Sequence, residues 1–407
     1  MTQHGSPGQA EDYLPTANLT TLRHRAMLLR AIRQFFDEAG YFEVETPLLS
    51  ADIVVDAWLE PFVAEWLPLA SNWSQPGSAR YLQTSPEFAM KRLLAAGAKA
   101  IYQLGKVFRN GEVGQRHNPE FTMLEWYRVG DDHHAQMQWT EELVWRVFVV
   151  ASELLEHSSD DSPDDELVLV PGATGERLRS PVLFEATGGP RLPPVAPGKP
   201  RDELAFVRHC DLARRVAHPA GFERLSYDDA FERHTGQRVL DVGVTRLHEL
   251  AAQHNLVSPP SLDPQDRDGW LNWLLAELIE PHLGRERPTF LFNYPASQAA
   301  LARVSQPQPD APFVAERFEL YIDGVELCNG YHELTDPTAL RDRIREQLAV
   351  RAAAGLRPLP AESRLLAAMD AGLPASSGNA LGVDRLVMLA LGQTCLSDVI
   401  AFPFDRA

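Results

Sequence analysis

At 407 residues the chain can bury a large core, and length alone suggests two or three domains at ~150 residues each. Its composition, 44% hydrophobic and 23% charged, is globular, and no apolar run approaches the roughly 20 residues of a membrane span. The net charge of −18 argues against a protein that grips a long stretch of nucleic acid, because that needs a basic footprint, and only short basic clusters occur, at Arg214-Arg215 and around Arg285 and Arg287.

Met1 to Pro15 is polar, lacks a basic stretch followed by an apolar one, and reads as a flexible lead-in with no secretory signal. Leu22 to Ala39 carries apolar residues at helical spacing, with Gly40 as a C-cap. Tyr41 to Thr46 then reads as a strand stopped by Pro47. Arg80 to Thr84 is a strand candidate leading into Ser85-Pro86-Glu87, where Ser85 can cap a helix that has Pro86 at its first position. Ile101 to Val107 and Thr122 to Val129 read as strands flanking a polar loop, and Trp139 to Leu155 as a helix. From His157 to about Gly221, Asp, Pro and Gly crowd together, which is the composition of a surface insertion, with Leu167–Val170 and Val182–Phe184 as a possible hairpin. Helices follow at Tyr227–Phe231 and Trp270–Ile279, and strands at Thr289–Phe292, Glu316–Ile322 and Gly324–Leu327. A last helix starts near Asp384. Cys210, Cys328 and Cys395 are far apart, show no metal-ligand spacing, and read as reduced thiols.

The chemistry concentrates in Val107-Phe108-Arg109-Asn110-Gly111-Glu112 and His117-Asn118-Pro119-Glu120-Phe121-Thr122-Met123-Leu124-Glu125-Trp126-Tyr127. An arginine, several carboxylates and an amide surround one loop between apolar runs. Burying each charge costs several kcal/mol unless it is paired. A site that takes a nucleotide phosphate and a substrate ammonium together needs this mix. The run resembles motif 2 of class II aminoacyl-tRNA synthetases, in the form found in lysyl-tRNA synthetases and their shortened paralogues. The helix, glycine, strand and proline of residues 22–47 resemble motif 1, the family's dimer interface. Phe318 to Leu334, and then Gly382-Val383-Asp384-Arg385, which resembles motif 3, complete the family's order.

The resemblance implies an antiparallel sheet flanked by helices in one catalytic domain, residues 16–407, interrupted by a family-atypical insertion at about 157–221. It implies that an amino-acid carboxylate attacks the α-phosphate of ATP, giving an acyl-adenylate and pyrophosphate. Catalysis of that kind is mainly positioning and electrostatic stabilisation. Arg109 would hold the α-phosphate and the substrate carboxylate, and Arg385 the γ-phosphate; guanidinium forks suit both tasks. Glu319 and Glu326, on consecutive strands, would hold Mg2+ with hard oxygen ligands. Glu125, Tyr127 and Glu333 would take the side-chain ammonium of lysine, Glu87 beside Ser85 and Pro86 its other amine, and Asn329 its carboxylate. Asn110, Glu112, His117, Asn118, Leu327 and Gly382 would line the ATP side, with Phe121 stacking on adenine.

Two positions depart from the family pattern. Arg-x-Glu becomes Arg109-Asn110-Gly111, with Glu112 one position late. Cys328 stands where the synthetases have Gly, and directly before Asn329 it is expected to crowd the ground beside a substrate α-amine. Motif 1 begins near residue 22, leaving no room for an anticodon-reading barrel. The chain therefore resembles the shortened paralogues, the elongation factor P–lysine ligases, and His332 and Pro295-Ala296-Ser297-Gln298 fit them better than the synthetases. That implies activation of (R)-β-lysine or lysine and its transfer to a lysine of elongation factor P, by a cytoplasmic homodimer with no membrane contact and no tRNA. The alternatives are tRNA charging and a catalytically silent regulatory paralogue, the latter supported only by Gly111.

Overall fold

The computed structural model describes residues 13–68, 77–157 and 201–407. The strands are β1 Phe42–Glu43, β2 Leu49–Ser50, β3 Val63–Trp66, β4 Ser78–Leu82, β5 Ala100–Phe108, β6 Glu120–Val129, β7 Glu223–Ser226, β8 Thr289–Pro295, β9 Val304–Ser305, β10 Val314–Ile322, β11 Val325–His332 and β12 Ser376–Gly382. The helices are α1 Leu19–Glu38, α2 Glu87–Ala95, α3 His133–His157, α4 Arg201–Val216, α5 Tyr227–Thr235, α6 Val244–Gln253, α7 Arg267–Leu274, α8 Pro337–Ala353, α9 Arg364–Gly372 and α10 Val383–Ala390.

The main sheet runs β1-β5-β6-β12-β11-β10-β8-β7, with β9 paired to β10, and β2-β4-β3 form a small second sheet. The strands from β5 to β8 pair antiparallel, and among the described residues parallel pairing is confined to β1 against β5 and β7 against β8. The antiparallel sheet with flanking helices expected from the sequence is the fold.

Local chemistry explains the elements. Asn18 starts α1 by accepting the Thr21 N–H at 2.7 Å. Leu28, Ile32 and Phe36 recur every fourth residue and bury one stripe. Gly40, at φ +76°, supplies the left-handed turn that ends the helix. The strand expected over Tyr41–Thr46 pairs over only two residues. Val44 still donates to the Tyr102 carbonyl, but the Thr46 N–H goes to the Gln103 side chain, so the ladder is replaced by a side-chain bond.

Strand alternation divides the sheet into two faces. Leu124, Trp126, Phe318, Leu320, Cys328 and Leu381 join the core beneath α3. The other face, in its middle, carries polar groups. Residues 158–200, including the possible hairpin, lie outside the described residues. The end of the expected surface insertion is instead the core helix α4, with Leu212, Ala213 and Val216 buried against α3 and α10. The basic clusters are engaged internally: Arg214 and Arg215 pair with Asp211, and Arg215 and Arg285 pair with Asp323. No helix among the described residues is long and apolar enough to cross a membrane.

One buried carboxylate fastens the three motif regions together. Asp384, 2% exposed at the start of α10, accepts from Arg25 of α1 at 2.5 Å and from the Thr122 N–H of β6 at 2.9 Å. Losing one partner of such a pair typically costs ~3–5 kcal/mol.

Candidate active site

The polar face is built from alternate residues of β6, β10, β11 and β12. Pairing sets Glu125 beside Ala380, and Tyr127 beside Gly378, which in turn faces Tyr331. The β12 face toward the cavity, Gly378, Ala380 and Gly382, thus offers nothing larger than a methyl. A Cβ on Gly378 would sit 2.3 Å from the Tyr127 ring and 2.9 Å from a Glu333 oxygen. The small residues hold open the floor between the two strands that carry the charges.

At one end lie Glu87, Glu125 and Glu333, all buried. Ser85 accepts the Glu87 N–H at 3.0 Å and donates to Glu125 at 2.8 Å; Tyr127 donates to the other Glu125 oxygen at 2.6 Å. Pro86 stands just before the first residue of α2, one position earlier than expected. Glu125 therefore has two neutral donors in direct contact. Burial, reinforced by Glu87, pushes its pKa up to about 8. Glu333 is pushed up to about 7 by burial, held back by Lys91. Burial and the Glu125 charge keep the Tyr127 phenol protonated.

Lys91, which the sequence reading missed, joins this group. Its ammonium is 1% exposed and pairs with Glu87 at 2.6 Å and Glu333 at 2.5 Å. Burial opposes its charge, but Glu333 and then Glu87 more than compensate and raise its pKa. The signal was present: Glu87 and Lys91 are i and i+4 on a helix whose buried side includes Met90 and Leu94.

At the other end Glu319 accepts from Tyr294 at 2.6 Å, Tyr321 at 2.7 Å, Arg317 at 2.5 Å and Asn329 at 3.4 Å. Arg317, also missed, donates to Asn329 Oδ1 at 3.2 Å and to the Gln298 carbonyl, and lies over the Tyr294 ring. It alternates with Glu319 on β10, which is the strand-period signal for one shared face. Asn329 is thus oriented from both sides. Tyr331 links the two ends, since its hydroxyl feels Arg317, Glu87, Glu319 and Glu333 together.

Glu326 pairs with Tyr321 across the β10–β11 hairpin, two residues along β10 from Glu319. Burial and then Glu319 push its pKa up to about 7, opposed by Arg385, Arg109 and Arg317. Two carboxylates that offer only oxygen donors fit a hard divalent cation such as Mg2+. Arg385 donates to the Glu326 carbonyl at 2.9 Å and contacts His117 Nε2 at 2.7 Å. Desolvation and Arg385 lower the His117 pKa, which favours the neutral ring that accepts this bond. Arg109 lies 5.2 Å over the Phe121 ring and 3.8 Å from Glu112, and its buried Nε has no acceptor among the described residues. One face of Phe121 is therefore covered by a guanidinium. Gly111 has φ +86°, so the position where the family carries Glu is here a left-handed turn.

Other expected site residues act on the protein itself. Asn118 donates to the Glu120 carbonyl and accepts from the Phe404 N–H, tying the loop to the C-terminal segment. The Asn110 N–H bonds the Glu60 carbonyl, Leu327 is buried in the core, and Gly382 precedes the first residue of α10. The expectation for Cys328 is corrected. Its side chain packs in the core under α3, on the opposite face from its neighbour Asn329. Alternation along β11 makes contact with a substrate amine impossible without turning the strand over.

The family of tRNA synthetases class II (D, K and N) matches residues 12–406. The elongation factor P–(R)-β-lysine ligase of Vibrio cholerae is 40% identical over 396 residues, covering 97% of this chain and 99% of that protein. The ligase of the same name from Enterobacter sp. is 40% identical over 393 residues, 97% and 98% of the two chains. That of Edwardsiella ictaluri is 40% identical over 397 residues, again 97% and 98%. The chain therefore belongs to the class II tRNA synthetase family, in its branch of elongation factor P–(R)-β-lysine ligases.

Proposed function

We propose that the protein uses ATP to activate (R)-β-lysine, or lysine, as an aminoacyl-adenylate and transfers it to the ε-amine of one lysine on elongation factor P. The observation that carries the substrate class is a charge balance. Glu87, Glu125 and Glu333 oppose one internal cation, Lys91, in a buried pocket. With all three carboxylates ionised, as bound ammonium groups require, two negative charges remain. A lysine isomer brings two ammonium groups, so the diamine neutralises the pocket, whereas a monoamine leaves a buried carboxylate unpaired.

The carboxylate of the bound lysine attacks the α-phosphorus of ATP, and the bond to pyrophosphate breaks. Arg109, through its unpaired Nε, and the fixed Asn329 are suited to hold the attacking carboxylate and the phosphoryl oxygens. Arg385 and the neutral His117 take the far phosphates. Glu319 and Glu326 would hold Mg2+, which supplies charge neutralisation on the phosphate chain. The amine of the acceptor lysine then attacks the acyl carbon and AMP leaves.

The acidic surface and the internally paired Arg214, Arg215 and Arg285 favour a protein acceptor over tRNA. The positions of Arg109, Glu319, Glu326 and Arg385 oppose a silent paralogue. A homodimer through the motif 1 region is supported by exposed Leu19, Phe42, Leu48 and Leu49 along one segment. The cytoplasm, where ATP and translation factors reside and free thiols such as Cys210, Cys328 and Cys395 persist, is the matching compartment. ATP–pyrophosphate exchange measured across lysine isomers, ornithine and norleucine tests the substrate reading. Exchange should require both amines; norleucine working as well as lysine would overturn it.

A further inference from the structure

A second cluster lies on the sheet face away from the reaction cavity. His133 begins α3, Glu316 stands on β10, and His332 ends β11. Their ligand atoms all fall within 4.8 Å of one another. On β10, Arg317 and Glu319 face the cavity and Glu316 faces α3; on β11, Tyr331 faces the cavity and His332 faces α3. His332 Nδ1 and Glu316 Oε2 are in contact at 2.5 Å, and Arg303 is 3.8 Å from the other Glu316 oxygen.

His133 has no such satisfaction. It is 6% exposed, and neither ring nitrogen has a hydrogen-bond partner among the described residues. Its ring rests against His134 at 4.1 Å, a packing contact that leaves both nitrogens unmet. A buried imidazole without partners forfeits on the order of 1–3 kcal/mol per polar atom. A ligand that accepts its lone pair removes that penalty.

We propose that His133, Glu316 and His332 form a binding site for a divalent first-row transition ion of the zinc class, separate from the Mg2+ and ATP site. Two imidazoles and one carboxylate with a fourth position for water are a common zinc donor set. The nitrogen ligands select against Mg2+ and Ca2+, which prefer oxygen. Bonds of about 2.0–2.2 Å place tetrahedral ligand atoms roughly 3.3 Å apart. The three groups reach that spacing by side-chain adjustment, the ion entering between His332 and Glu316. The ion would pin the start of α3 to the strand ends that present Arg317, Tyr331 and Glu333 to the cavity.

The test is titration of the full chain with Zn2+ and Co2+ in excess Mg2+, which keeps the oxygen site filled. Binding is followed by calorimetry and by the visible absorption of four- or five-coordinate cobalt. Expected are one equivalent bound, a rise in melting temperature with Zn2+, and affinity weakened at least about tenfold in both His133→Gln and His332→Gln. Circular dichroism and metal-free melting show that each variant is folded, and Glu316→Gln serves where either is not. No stoichiometric uptake by the parent protein, or uptake and cobalt spectrum unchanged in folded variants, overturns the proposal.

Discussion

Glu125→Gln separates folding from substrate recognition. Glu125 is 1% exposed, receives Ser85 and Tyr127, and has a pKa pushed up to about 8 by burial and Glu87. At neutral pH the empty pocket thus holds a largely protonated carboxyl, which glutamine imitates in shape and charge. Fold stability should change by less than about 1 kcal/mol, since no charge is stranded. Substrate binding is different, because the ammonium needs the ionised form. Loss of one partner of a buried ion pair is worth ~3 kcal/mol, or roughly 100- to 200-fold in kcat/KM for lysine. The wild type must release a proton to bind, at about 1.4 kcal/mol for each pH unit below the pKa. Its KM for lysine should therefore fall steeply as pH rises from about 6 to 8 and then level, whereas the glutamine variant keeps only the shallower fall near pH 7 that Glu333 sets. Pyrophosphate exchange at saturating ATP, with thermal melts of both proteins, measures this. A lysine KM within about threefold of wild type, or a flat wild-type profile, would refute the assignment of Glu125 to an ammonium.

Glu326→Gln should lower adenylate formation ~10²–10³-fold with little loss of stability, since removing its charge relieves the repulsion from Glu319. Glu319→Gln should do the same and also lower the melting temperature, because Arg317 loses its ion-pair partner. Lys91→Met should destabilise by up to ~3–5 kcal/mol near neutral pH and by less in acid, where Glu333 can protonate; a melting curve unchanged at pH 7 would contradict the buried pairing. The raised pKa values of Glu125 and Glu333 lie above the unfolded value of 4.5, so the folded protein binds the extra protons. Their stabilisation is fully present below that value and is lost as pH rises through about 7 to 8; added lysine should restore the melting temperature there. Cys328→Gly should cost roughly 1–3 kcal/mol through a core cavity and a strand glycine while leaving the choice between α- and β-lysine unchanged.

Much of the fold was legible because each motif combines a period with a boundary signal. The strands β5 and β6 are largely buried runs on either side of a polar loop that contains a glycine turn, and α1 carries a four-residue stripe between Asn18 and Gly40. Other elements gave weaker signals. Helix α8 buries only Leu340, Ile344 and Arg351, so its apolar period is thin despite the Asp336-Pro337 start. Helix α4 follows a Pro- and Asp-rich run whose composition masks it. The site's charged residues were named from motifs, but its two internal cations were not. Lys91 and Arg317 have their roles through what lies opposite them in space, and one chain position does not reveal a partner on another strand. Cys328 shows the reverse error: adjacency to Asn329 in sequence was read as adjacency in the pocket, and the strand period puts the two on opposite faces.

The most direct test is transfer itself. The purified chain is incubated with ATP, (R)-β-lysine and elongation factor P, in parallel with tRNA in place of the factor, and the products are read by intact and peptide mass spectrometry. The account predicts one lysyl addition on a single lysine side chain of elongation factor P, dependent on ATP and on Glu326, with no charged tRNA. Charging of tRNA with the factor left unmodified would contradict it.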